Sequence, residues 1–213
     1  MPVLPGLARV SRGKPMNAIQ KLIATLVALG WLSIVASPVS AEMDSRQIWT
    51  GSGGEVRLEL RADYLPDFGL EIVHRGEQTA QVLTIERAFS ELDHLVIEAP
   101  YGNFEHLSAG AVRLDTDLVL RHGRREVALA GLVLTPGLFV NNHPSLEARD
   151  AAGRHLLTFH HMHILADPEQ GSLSLHNVGF SATAVLSELL DLPALEGVDL
   201  GMAWFDLHLS VPF

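Results

Sequence analysis

Apolar and polar residues alternate with period two along much of this chain, which restricts those segments to β-strands with one buried face. Val56, Leu58 and Leu60 alternate with Glu55, Arg57, Glu59 and Arg61. Val112, Leu114, Thr116, Leu118 and Leu120 alternate with Arg113, Asp115, Asp117 and Arg121. Residues 126–134 (Glu-Val-Ala-Leu-Ala-Gly-Leu-Val-Leu) are apolar at both parities and read as a strand in the middle of a sandwich. Gly123 is placed to turn a hairpin between these last two segments, Asp150-Ala151-Ala152-Gly153 joins 146–149 to 155–164, and Asp167–Gly171 turns that strand onto 172–178. No strand–helix–strand spacing interrupts the series. The expectation is a single all-β domain, an antiparallel β-sandwich or jelly roll of about ten strands.

One segment breaks the pattern. Val185, Leu186, Leu189 and Leu190 recur at helical spacing, Ser181 can cap a helix from Ala182 to Leu190, and Phe180 and Val185 stand where a hydrophobic staple would. Pro193 ends it. Such a helix near 182–190 closes one open end of the sandwich, or else serves as a lid over an apolar ligand cavity.

Residues 1–41 carry Arg9, Arg12, Lys14 and Lys21 and no acidic residue. Leu22–Ala36 is almost wholly apolar, and Val39-Ser40-Ala41 offers small residues before Glu42. These are the parts of a secretory signal peptide, with an apolar run shorter than the ~20 residues of a membrane span. Met16 is an alternative start. The expected division is a signal peptide over 1–41 and one β-rich domain over 42–213, exported to the periplasm or secreted.

The exported part then holds 11 Arg, no Lys and 25 Asp+Glu, a net charge of −14 with His neutral. That charge disfavours phosphate backbones and anionic membrane surfaces, so nucleic acid is excluded as a partner and membrane association is not expected. The chain has no Cys, which removes thiol catalysis, iron–sulfur clusters and Cys-based zinc sites. Gly51-Ser52-Gly53-Gly54 lacks the Lys and the helix of a phosphate loop and reads as a flexible lead-in. Ser108, Ser174 and Ser210 lie outside any nucleophile elbow. Asp115 and Asp117 could serve as acid and base, but a solvated charge ladder with Arg113 and Arg121 accounts for them.

Histidine is the one concentrated reactive type. All 11 lie beyond residue 41, and His155, His160, His161, His163 and His176 fall within 22 positions. Neutral imidazole is a ligand for Cu or Zn. On a regular strand His161 and His163 share a face, while His160 and Met162 share the other, joined there by His176 if the turn pairs it with Met162. His160, His161, His163 and His176 are therefore the candidate metal ligands. Asn141-Asn142-His143-Pro144 reads as a polar loop tip suited to contact.

At the end of the chain Phe205, Leu207, Leu209, Val211 and Phe213 alternate with Asp206, His208, Ser210 and Pro212. The tail resembles the closing strand of outer-membrane β-barrel proteins, which implies a small membrane barrel as one reading. Two Tyr and three Trp are few for its aromatic girdles. The reading preferred from sequence is an exported, non-catalytic binding or structural module for a macromolecule, a glycan or an apolar ligand, with no cofactor. Its competitor is a His-rich Cu or Zn protein, as a carrier or a metal-assisted hydrolase. Mass spectrometry of the protein from an exporting host should find Glu42 as the first residue, in a fraction that a carbonate wash releases. An intact Met1 or Met16 in the cytoplasm would contradict this.

Overall fold

The computed structural model describes residues 47–79, 82–90, 92–99 and 106–210. The expected signal segment and the tail residues Val211, Pro212 and Phe213 lie outside the described residues. Fourteen strands occur among them, more than the ten expected, because several predicted strands are each broken in two. In chain order they are β1 (Gln47–Leu60), β2 (Leu70–His74), β3 (Glu77–Thr79), β4 (Leu83–Ala88), β5 (His94–Ala99), β6 (His106–Leu114) and β7 (Leu118–His122). The second half supplies β8 (Arg125–Ala128), β9 (Leu132–Pro136), β10 (Leu146–Arg149), β11 (His155–His160), β12 (His163–Asp167), β13 (Ser172–Ala182) and, after helix α1 (Ala184–Leu190), β14 (Asp199–Ser210).

The domain is antiparallel β with one helix, as the alternation requires. The two-sheet sandwich is not the arrangement found. Eight strands close into a barrel in the order β1, β14, β13, β11, β10, β9, β6, β5 and back to β1. Sandwich and barrel share the same alternation and the same hairpins. They differ in long-range pairs, here β11 with β13 and β1 with β5 and β14, that no local pattern encodes. A second sheet, β3-β2-β7-β8, is formed by chain that leaves the barrel at one end.

That departure explains the broken strands. Val112, Leu114, Thr116, Leu118 and Leu120 are all buried, as expected, but the chain changes sheets at residues 115–117. The Thr116 hydroxyl donates to Leu129 O at 2.9 Å across the bend. Residues 126–134 are likewise not one doubly buried strand. Val127 and Leu129 are buried, Ala128 and Ala130 are exposed, and Gly131 (φ 62°) shifts the phase so that Leu132 and Leu134 point inward. The turns at Gly123, 150–153 and 167–171 stand where the sequence places them.

The helix begins two residues later than expected. Ser181 is still paired in β13, and Thr183 is the cap: it accepts from Leu186 N–H at 3.4 Å and donates to His155 O at 2.6 Å. Leu186 and Leu190 are buried, and the His122 ring donates from Nδ1 to Leu190 O at 2.9 Å, joining the second sheet to the helix C-terminus. Together α1 and the second sheet close the end of the barrel formed by Leu60, Leu114, Leu132 and Leu157. Beneath them the barrel is filled. Phe159 and Phe180 stack at 5.2 Å, Phe205 meets Phe159 edge-on at 5.9 Å, and the residual cavity is about 10 Å³, room for one water at most. Among the described residues the helix packs over this filled part of the core and closes the barrel end.

The glycine run at 51–54 is strand, not lead-in. β1 pairs with β14 on one side from Thr50 to Leu60 and on the other first with β5, then with β4. A bulge between Ser52 and Glu55 makes that handover, and it needs glycine. Gly54 has φ 86°, and a Cβ there would lie 1.9 Å from Asp206 O. Gly54→Ala should therefore lower unfolding free energy by roughly 2–4 kcal/mol in urea denaturation, whereas Gly123→Ala, at an open turn, should cost about 1 kcal/mol. Equal effects would show that the β1 bulge tolerates a side chain.

Candidate functional site

Among the described residues, the end of the barrel opposite α1 is bordered by the loop 137–145. There the β6–β9 ladder covers only Val112–Leu114 against Leu132–Leu134, and the β10–β11 ladder ends at Leu146 with Phe159. The loop 137–145 stands between these diverging edges. It is folded on itself: Asn141 (φ 51°) and Asn142 (φ 64°) occupy the two central positions of a tight turn, with Val140 and His143 bonded backbone to backbone at 2.9 and 3.0 Å. The buried Ser145 hydroxyl donates to Leu138 O and anchors the loop base. Leu138 and Phe139 are left exposed at its rim, at 83% and 51%.

Opposite this loop the β11–β12 segment is kinked. The ladder to β13 runs in one register from Leu157–Ala182 through His160–Gly179 to His163–His176, but it is interrupted at 161–162 on one strand and 177–178 on the other. His161 (φ 58°) and Asn177 (φ 56°) take left-handed backbone there. The kink inverts the phase of both strands. Leu157 and Phe159 point inward before it, and Met162 after it; Leu173 and Leu175 give way to Val178 and Phe180.

Strict alternation therefore fails where it was applied to the histidines. Met162 is buried, while His161 and His163 are exposed and His160 packs on the outer surface. The expected His160–Met162–His176 set does not form, because His176 pairs with His163 and not with Met162. What forms instead is a row of rings. His160 meets His161 edge-on at 4.7 Å between centroids. His143 from the loop stands 5.9 Å from His161 and 6.0 Å from His163, and His176 lies directly across the ladder from His163. His160, His161 and His163 thus share a row of rings with His143, a residue the sequence marks only as part of a contact loop, and His176 stands across the ladder from His163. The paired asparagines signal the tight turn that carries His143. Where that turn folds back is set by barrel closure.

Beside the array lies a cleft of about 390 Å³ lined by His106, Phe139, His143, Met162, His163 and Ile164. His106 packs against Phe139 at 5.2 Å and forms the far wall. A second groove of about 480 Å³ runs along Ser172, Ser174, Asp206 and His208 on the barrel wall. Ser174 Oγ donates to Asp206 Oδ1 at 2.5 Å, which ties that hydroxyl to a carboxylate and not to an imidazole base. Asp115 and Asp117 are exposed in the crossing between sheets, and Asp117 faces Arg75 at 3.6 Å and Arg87 at 3.7 Å; the expected ladder with Arg113 and Arg121 does not form, since Arg121 pairs with Glu71 and Glu126.

His160 is the electrostatically distinct member. It lies flat over Gly179, its Nε2–H donates to Asp199 Oδ1 at 3.0 Å, and Nδ1 is buried without a hydrogen-bond partner. Burial holds its pKa below that of a free imidazole; the Asp199 carboxylate opposes the shift and His161 adds to it. No family model, curated protein or solved structure matches the chain.

A folded-state pKa below the unfolded value means that the unfolded chain binds the extra proton first. The stabilisation from neutral His160 is complete above about pH 6.5 and is lost as pH falls from there through the folded pKa. The melting temperature should drop between pH 7.5 and 5.5, and His160→Gln should flatten part of that drop. An unchanged slope in the variant would remove His160 as its source.

Proposed function

We propose that this chain is an exported binding module that takes its ligand at the open mouth of a filled barrel. The observation that carries the reading is the contrast between the two ends. Among the described residues the cavity beneath α1 is about 10 Å³, room for one water, while the mouth presents a cleft of about 390 Å³. That cleft joins an aromatic wall to imidazole nitrogens, and its rim exposes Leu138 and Phe139 beside polar groups. Exposed apolar side chains rimmed by polar ones mark recognition surfaces, and concave sites with a few convergent polar groups suit small ligands or single side chains of a larger partner. The matching chemistry is a flat apolar moiety carrying a hydrogen-bonding group: an aromatic side chain, a sugar ring or a small aromatic acid.

Export is supported by the front of the chain and by the strongly acidic remainder. The membrane-barrel reading is disfavoured by the direction of the alternation. Phe205, Leu207 and Leu209 point into the barrel and Asp206, His208 and Ser210 outward, as do Arg57 and Glu55, whereas a lipid-facing barrel needs an apolar outer band. The non-catalytic reading is supported by the tethering of Ser174 to Asp206 and by the exposed ion pairs of Asp117 with Arg75 and Arg87.

The test is a fragment screen by NMR on isotope-labelled protein, with benzoate, indole and methyl glucoside as probes at millimolar concentration. Perturbed amides should gather at 138–144 and 162–164, and Phe139→Ala should weaken the best fragment about fivefold or more, the loss of roughly 1 kcal/mol of ring contact. Shifts confined to the groove at Ser172 and Asp206, or scattered over the surface, would overturn the mouth as the binding site.

A further inference from the structure

We propose that the mouth histidines capture a transition-metal ion of the copper–zinc class, with His143 as the central ligand and His161 and His163 flanking it. Two imidazoles on one such ion place their nitrogens about 2.0–2.1 Å from it, so their ring centroids stand roughly 4.6–6.5 Å apart for angles between 90° and 180°. The 5.9 Å and 6.0 Å separations of His161 and His163 from His143 fall inside that interval, as does the 4.7 Å between His160 and His161.

The rings come from two elements whose backbones are both fixed in left-handed conformations, the Asn141–Asn142 turn and the His161 kink. Unfavourable backbone of this sort in residues other than glycine persists where the surrounding structure enforces it, and it concentrates at functional sites. His143 is the half-buried, fixed member. His161 and His163 are exposed and free to change rotamer within nanoseconds. That freedom is required, since among the described residues no three His, Asp or Glu side chains converge on a metal position as they stand. Binding rotates the two exposed rings onto His143, with His176 across the ladder as a further imidazole within the same face.

The donor set decides the ion. Neutral nitrogen ligands without thiolate suit Cu²⁺ and Zn²⁺ and not Ca²⁺ or Mg²⁺, and for the same nitrogen site Cu²⁺ binds more tightly than Zn²⁺. The acidic protein favours cation approach in general. The inference does not rest on the cleft's serving an organic ligand.

The chain, produced without a His-tag and stripped with chelator, is titrated with CuCl₂ and with ZnCl₂ by calorimetry, and its melting temperature is followed in parallel. One equivalent of Cu²⁺ should bind, at least about tenfold more tightly than Zn²⁺, and raise the melting temperature, because a ligand of the native state stabilises it. His143→Gln, and separately the double variant His161→Gln with His163→Gln, should each weaken both ions by about tenfold or more while leaving the metal-free melting temperature within a few degrees. His208→Gln, on the barrel wall, should bind as the parent does. Absence of binding below about 1 mM, parental affinity in His143→Gln, an equal loss in His208→Gln, or Zn²⁺ bound more tightly than Cu²⁺ would each overturn the site. Fragment shifts that persist at the mouth of metal-free protein separate failure here from failure of the ligand-binding reading.

Discussion

Four residue pairs join β11 to β13, from Leu157–Ala182 to His160–Gly179, and they turn a curled sheet into a closed wall. Without them the sheet would present two long hydrogen-bonding edges and an apolar inner face open to water. With them Phe159, Phe180 and Phe205 meet in the middle of the barrel, each fully buried, and removing any one would leave a cavity costing about 3–5 kcal/mol. The same ladder fixes the mouth. Because β12 continues it beyond the kink while β10 stops at Leu146, the two strands part there, and the cleft is the space that closure leaves uncovered.

Much of the local structure was legible in the residues. The turns at Gly123, Gly153 and Gly171 combine a glycine in left-handed backbone with flanking alternation, and Asp150 and Asp167 each accept two backbone N–H groups inside their own turns. Such signals are complete within a few residues. The helix was legible for the same reason, apart from the shift of its cap from Ser181 to Thr183, where pairing with Thr158 and Asp199 holds Ser181 in the sheet.

What escaped has a common physical origin. Period two identifies a strand's faces only while the strand stays regular, and this barrel inverts the phase at Gly131, at His161 and at Asn177. Each inversion exchanges inside for outside for every residue that follows. Two of them fall on the histidine-rich segments, so alternation divided His160, His161 and His163 between two faces when the folded chain gathers them on one side around Met162. His143 was hidden for a different reason. Its turn is local, but its neighbours lie some twenty residues along the chain and are brought to it by the β10–β11 hairpin and by barrel closure together.

The two ends of the barrel divide the demands on the chain. At the closed end several polar groups are tied to structure, Thr116 to Leu129, Ser187 to Leu192 at 2.7 Å, and His122 to the helix terminus, while His74 Nε2 in β2 is buried without a partner. Left-handed backbone outside glycine occurs there too, at Asp191, which ends the helix, and at Arg75 (φ 51°) in the β2–β3 turn. At the mouth, four residues other than glycine (Asn141, Asn142, His161 and Asn177) hold left-handed backbone, His160 Nδ1 is buried without a partner, and Leu138 and Phe139 face water. Each of these lowers stability, by about 0.5–2 kcal/mol for backbone and burial alike. A closed core can carry such a concentration of unfavourable features, since the ladders on either side hold the mouth segments in place. A chain selected for stability alone would substitute glycine at these turns and a small polar residue at Phe139. The ladders that hold these segments also set His143, Met162 and His163 around the cleft, so the same backbone that costs stability fixes the shape of that surface.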